Sequence, residues 1–116
     1  RLPSHFSILS GDDATALSFM LLGGKGVRSV TANVAPKLMH EMCACVMSKQ
    51  NEKAIEINHQ LFSLHTNLFI ESNPIPVKWA LKIMGLIKEG IRLPLVELNQ
   101  EHHKIIQTAM KEAHIQ

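Results

Sequence analysis

The stretch from Ser10 to Pro36, SGDDATALSFMLLGGKGVRSVTANVAP, restricts the fold more than any other part of the chain. The apolar run Phe6 to Ser10 (FSILS), closed by Gly11, reads as a short buried strand, because such a run bounded by a turn signal fits one. Asp12 and Asp13 follow at once. Either can cap a helix by accepting from free backbone N–H groups, and both suit the positive end of a helix dipole. Ala16, Leu17, Met20 and Leu21 then recur at helical spacing, and Gly23-Gly24 end the helix where φ > 0 is tolerated. Gly26 to Val30 reads as a second strand, with Val27 and Ser29 on one face and Arg28 and Val30 on the other. Two strands joined by a helix run parallel. A lone parallel pair leaves open edges and uncovered apolar faces, so this unit is expected to be the tail of a larger parallel sheet.

The rest of the chain reads as helical. Thr31-Ala32-Asn33 forms a loop, and Pro36 suits the first turn of a helix that runs through Met47. Asn51 to Phe69 is a long amphipathic pattern with Ala54, Ile55, Ile57, Leu61, Leu64 and Leu68 on its apolar side. Ser72-Asn73-Pro74-Ile75-Pro76 breaks it, and the second proline can open a helix from Val77 to Leu86 that carries Trp79. Ile91 to Leu95 is extended, and Asn99 caps a last helix to about Ala113. The count is two strands and five helices. The expected fold class is α/β: the last two strands and helices of a (β/α)8 TIM barrel over residues 1–48, then a C-terminal helical domain over residues 49–116, mostly helical as an isolated piece.

Hydrophobic residues make up 46% of the 116 and charged residues 19%, which suits a globular core and excludes disordered and fibrous classes. The net charge is +2, with lysines and arginines scattered among acids and only Phe6, Phe19, Phe62, Phe69 and Trp79 as aromatics. That is no basic stripe with stacking rings, and a nucleic-acid partner is not expected. Cys43 and Cys45 project about 200° apart on a helix, so they are expected as unpaired thiols. No apolar run approaches the roughly 18 residues of a membrane span, and the expected location is the cytoplasm. A start at Arg1, without Met, is expected of a piece of a longer chain.

Several motifs invite chemistry. Gly23-Gly24-Lys25-Gly26 lacks the Ser or Thr after the lysine that a phosphate loop needs, and it precedes a strand, so it reads as a helix-to-strand turn. Among the seven histidines, His40, His59, His65, His102 and His103 show no metal-ligand spacing, and they are expected at the surface or in packing, with no metal. For Asp12 and Asp13, capping is the expected role ahead of acid–base chemistry. In (β/α)8 enzymes the chemistry gathers where strands end, which directs attention to Gly11 through Asp13 and to Val30 through Asn33.

These residues also carry a specific resemblance. Gly11-Asp12-Asp13 with its helix, then GGKGVRSVTANVAPKLMHEM, ESNPIPVKWALKIMGL and IRLPL, together resemble the C-terminal part of the dihydrodipicolinate synthase (4-hydroxy-tetrahydrodipicolinate synthase) family. The resemblance implies a parent (β/α)8 barrel with a helical extension, usually a homotetramer, that condenses pyruvate with aspartate semialdehyde on the route to lysine without a cofactor. It implies an imine-forming lysine and a proton-relaying tyrosine and threonines, none of which matches a position here. The chain has no Tyr, and Lys25 precedes its strand, at the wrong end for the imine. No catalytic residue is therefore expected in this chain, which alone should be inactive. Two positions beside pyruvate do match: Gly11, and Arg28 where the family usually has an aliphatic residue whose carbonyl faces the lysine. Arg28 could pair with the substrate carboxylate, obstruct the imine, or bend away. Leu22 matches a family position in the small contact between dimers.

Overall fold

Among the described residues, residue 3 and residues 5–115, the computed structural model has five helices: α1 (Asp13–Leu21), α2 (Pro36–Met47), α3 (Asn51–Asn67), α4 (Ile75–Ile83) and α5 (Gln100–Glu112). A single 3-10 turn, Thr31–Asn33, precedes α2. The two segments expected as strands pair in the expected direction but not to the expected extent. Ser10 and Val27 form an isolated parallel bridge. Around it, the Lys25 N–H donates to the Ile8 carbonyl (2.9 Å), the Ser10 N–H to the Gly26 carbonyl (2.9 Å), and the Arg28 N–H to the Ser10 carbonyl (2.8 Å), the alternation of a parallel ladder. No full strand forms among the described residues, because each segment pairs with the other alone. The expected burial of the FSILS run is corrected accordingly: Phe6, Ile8 and Leu9 are 55%, 46% and 52% exposed, and only Ser10 is buried.

Local chemistry explains the helix limits. Asp12 caps α1 by accepting from the Thr15 N–H at 2.9 Å. Past the other end of α1, Gly23 takes φ +107°, a left-handed conformation that side chains with a Cβ avoid. Pro36 opens α2 as expected. Helix α4 begins at Ile75, two residues before the expected Val77, because Pro74 serves as its cap and Pro76 fits inside the first turn, where no intrahelical N–H is lost. It stops at Ile83 rather than Leu86, since Gly85 turns the chain at φ +73°. Asn99 caps α5 by accepting from the Glu101 N–H at 3.2 Å.

The core is organised around α3, which packs against α1, α2, α5 and the 3-10 turn. Its residues Ala54, Leu61 and Leu64 are wholly buried, as are Met42 of α2 and Ile106 of α5. Ile55 is a correction: one position on from Ala54, it points about 100° away and lies 39% exposed. Polar ties also fix α5 to the rest, among them the Ser63 hydroxyl donating to the Glu112 carboxylate. The Gln60 Nε2 donates to the Ala113 carbonyl at 3.0 Å, and Glu71 Oε1 accepts from the Asn99 N–H at 2.9 Å and contacts His102 Nδ1 at 2.7 Å. The His102 hydrogen bond, followed by that from Asn99, holds the Glu71 carboxyl below its usual range. Trp79 of α4 is half-buried and stacks on His103 with ring centroids 4.4 Å apart.

Candidate functional site

The two strand ends come together as the parallel pairing requires. Ser10 is buried, and its hydroxyl both donates to the Asp12 carbonyl (3.0 Å) and accepts from the Asp12 N–H (3.1 Å), which bends the chain sharply after the first segment. Gly11 sits exposed on this bend. A Cβ there would meet no atom within 4 Å, so its own neighbours impose no steric need for glycine. The hydrogen bond from Arg28 to the Ser10 carbonyl sets the Arg28 backbone one residue from Gly11. Beyond Arg28, the Ser29 hydroxyl accepts from the Ala32 N–H at 2.8 Å and Asn33 Nδ2 donates to the Val30 carbonyl at 2.9 Å, closing the second bend. Arg28 is exposed. Lys25 begins the second segment, at the end away from Arg28. Leu22, past the far end of α1, is 91% exposed and does not join this group.

Asp13 plays a part that pattern reading missed. Asp12 alone caps α1, while Asp13 turns inward, and its Oδ2 accepts from the Val30 N–H (2.9 Å) and the Thr31 N–H (3.0 Å). One buried carboxylate thus joins the bend after the first segment to the bend after the second. Thr31 Oγ1 in turn lies 2.9 Å from His65 Nδ1 on α3. Asp13, Thr31 and His65 are each at most 1% exposed, so of the two expected placements, surface or packing, His65 takes the second, with a polar partner in the core. A signal existed for His65: it falls on the inward stripe of α3, between Leu64 and Leu68.

Burial pushes the His65 pKa down, and the charges of Asp13 and Asp12 only partly oppose this. The unfolded chain then binds a proton more readily than the folded one, so stability must fall with acid. The contribution from neutral His65 is complete above the ordinary imidazole value of about 6.5 and is lost as pH drops from there through the lower folded value. Urea denaturation at several pH values should show this decline, and His65→Leu should flatten it between about pH 7 and pH 5. An unchanged slope in that variant would assign the decline to other groups.

Among the described residues no three His, Cys, Asp or Glu side chains gather as metal ligands. Cys43 and Cys45 are unpaired, and burial pushes the Cys43 thiol up. No helix among the described residues is long and apolar enough to cross a membrane. The cavity beside Trp79, about 20 Å³ and lined also by Ile75 and Leu98, has room for about one water.

The chain as a whole has close counterparts among known proteins. The model of the Dihydrodipicolinate synthetase family matches residues 1–113. The 4-hydroxy-tetrahydrodipicolinate synthase of Nitrosomonas eutropha is 58% identical over 115 residues, which are 99% of this chain and 39% of that protein. Two crystal structures superimpose well. The chloride-inhibited dihydrodipicolinate synthase of Acinetobacter baumannii, complexed with pyruvate, has a TM-score of 0.92 and 50% identity over 96% of this chain and 38% of its own. The dihydrodipicolinate synthase of Aquifex aeolicus has a TM-score of 0.94 and 40% identity over 99% of this chain and 39% of its own. The chain spans about two-fifths of the length of such relatives. Matched over 113 of its 116 residues by one family model, and built with the backbone of the solved members, the chain belongs to the dihydrodipicolinate synthetase family.

Proposed function

We propose that this chain is the C-terminal segment of a class I pyruvate-dependent lyase that condenses pyruvate with aspartate semialdehyde on the route to lysine. The carrying observation is the juxtaposition of Gly11 and Arg28 at the strand ends, in a chain whose backbone follows that of a pyruvate-bound synthase. On this reading residues 1–48 complete a (β/α)8 barrel and residues 49–116 form the helical domain behind it. A lysine in the N-terminal part adds to the keto carbon of pyruvate, and water leaves as the imine forms. This chain supplies a wall of the site and no nucleophile. Gly11 leaves room for the keto acid, which is consistent with a glycine that its own neighbours do not demand. At the second strand end the Arg28 carbonyl faces the imine, and its guanidinium bends away into solvent, consistent with the exposure of that residue. Leu22 makes a contact between copies in a homotetramer, for which its 91% exposure leaves it free. The unpaired thiols fit a reducing cytoplasm.

Borohydride trapping tests the proposal. In the full-length protein, pyruvate and borohydride should yield a covalent adduct detectable by intact mass, and the 116-residue chain alone should yield none. A full-length protein without the adduct would sink the reading. The Arg28→Ile variant is expected to bind pyruvate as well as the parent or better. A loss of about tenfold or more, near 1.4 kcal/mol, would instead make Arg28 a carboxylate-binding group and favour an aldolase with a different acceptor.

A further inference from the structure

The buried trio Asp13, Thr31 and His65 asks for a reason to exist. Unpaired polar atoms in a core cost more than apolar ones, and of the three among the described residues, Asn58 Oδ1, Asp13 Oδ1 and His65 Nε2, the last two belong to this trio. Capping does not explain Asp13, because Asp12 caps α1. Packing does not explain His65, because a leucine would fill similar space on α3 without an orphaned nitrogen.

The hydrogen bonds give the trio a direction. The Thr31 hydroxyl carries one proton, and among the described residues its only acceptor is His65 Nδ1. If it donates there, the neutral ring carries its own proton on Nε2, and one polar hydrogen stays unmatched. The other tautomer would leave the hydroxyl proton unmatched and Nε2 without a donor, which is worse. His65 on α3 therefore accepts from Thr31, whose N–H and that of Val30 are held by Asp13 at the first bend. Three segments distant in sequence are locked at the place where Gly11 and Arg28 meet.

We propose that His65 is a positioning residue of the keto-acid site: through Thr31 and Asp13 it fixes the two strand ends as one rigid wall. This rests on the pyruvate-lyase reading above. His65 touches neither substrate nor lysine. Its work is to hold the Val30–Thr31 bend against Asp13, so that the main chain from Gly11 to Arg28 keeps its spacing before the substrate arrives. A wall held in advance favours substrate binding, because the ordering cost is met in folding.

Three variants of the full-length protein test it. Thr31→Val keeps the shape and removes the hydroxyl, His65→Leu removes the acceptor together with the orphaned Nε2, and Thr31→Ser keeps the hydroxyl. The first two are expected to raise KM for pyruvate about tenfold with kcat changed less than about threefold, the signature of lost binding. Thr31→Ser should stay within about threefold of the parent in KM. Amide exchange at Val30 and Thr31 should quicken about tenfold in His65→Leu, while Leu61 and Leu64 on α3 keep their protection. Should Thr31→Val fail to fold, His65→Leu decides alone, since it leaves an apolar core at that position. Unchanged exchange at Val30 and Thr31, exchange that quickens equally along α3, or an equal fall in kcat and kcat/KM would overturn the proposal. If the parent forms no pyruvate adduct, the lyase reading fails instead, and the exchange arm still decides whether His65 holds the bend.

Discussion

Leu64→Ala is expected to cost about 2–5 kcal/mol of folding stability, the usual range for a leucine cut to alanine in a tight core. Leu64 is wholly buried on α3, the helix that meets α1, α2 and α5. The loss has two parts: the transfer free energy of the removed carbons, and a cavity that backbones fixed on several sides cannot collapse to fill. Ile55→Ala on the same helix is the control, because Ile55 is 39% exposed and gives up far less buried surface. Urea denaturation read by circular dichroism should separate the two, with Ile55→Ala costing about 1 kcal/mol or less. Equal losses would mean that α3 is not the centre of the core.

Asp13→Ala should be nearly as damaging, at about 2–4 kcal/mol, and for a different cause. The substitution leaves two backbone N–H groups, those of Val30 and Thr31, without their acceptor. Each stranded group costs about 1–3 kcal/mol, less where water can reach it, as at the half-buried Val30. The neighbouring Asp12→Ala removes only an exposed cap and should cost about 1 kcal/mol. The same denaturation series compares the two. If Asp12→Ala proved the more harmful, the carboxylate that matters would be the cap, and the link between the two bends would be of little energetic weight.

That contrast marks where sequence reading stops. The limits of α1, the start of α2 and the cap of α5 were legible because each depends on a residue acting on its own neighbours: Asp12 on Thr15, Pro36 on its own turn, Asn99 on Glu101. The parallel direction of the first two segments was legible because a helical crossover permits no other simple course. The division of labour between Asp12 and Asp13 was not. Two adjacent acids look alike until the bend at Val30 and Thr31, 17 and 18 residues away, is known to lie beside one of them. His65 was hidden in the same way, since its partner is 34 residues earlier in the chain. The burial assigned to Phe6, Ile8 and Leu9 failed because an apolar run records what a segment would accept as neighbours. It does not record which neighbours are present. At the candidate site, Gly11 and Arg28 were identified through a family resemblance, whereas their adjacency follows from the register of one parallel bridge.

The central place of α3 also bears on how this chain can change over generations. A side chain on its inward face answers to several neighbours at once, from α1, α2, α5 and the 3-10 turn. A change of volume there cannot be offset by one substitution opposite, as it can between two facing helices, because the mismatch is shared among several partners at once. Helix α4, whose main packing is against α5 and the 3-10 turn, has fewer obligations. Sequence drift should therefore enter through α4 and the loop that follows it, while the inward face of α3 accepts new residues only in concerted sets.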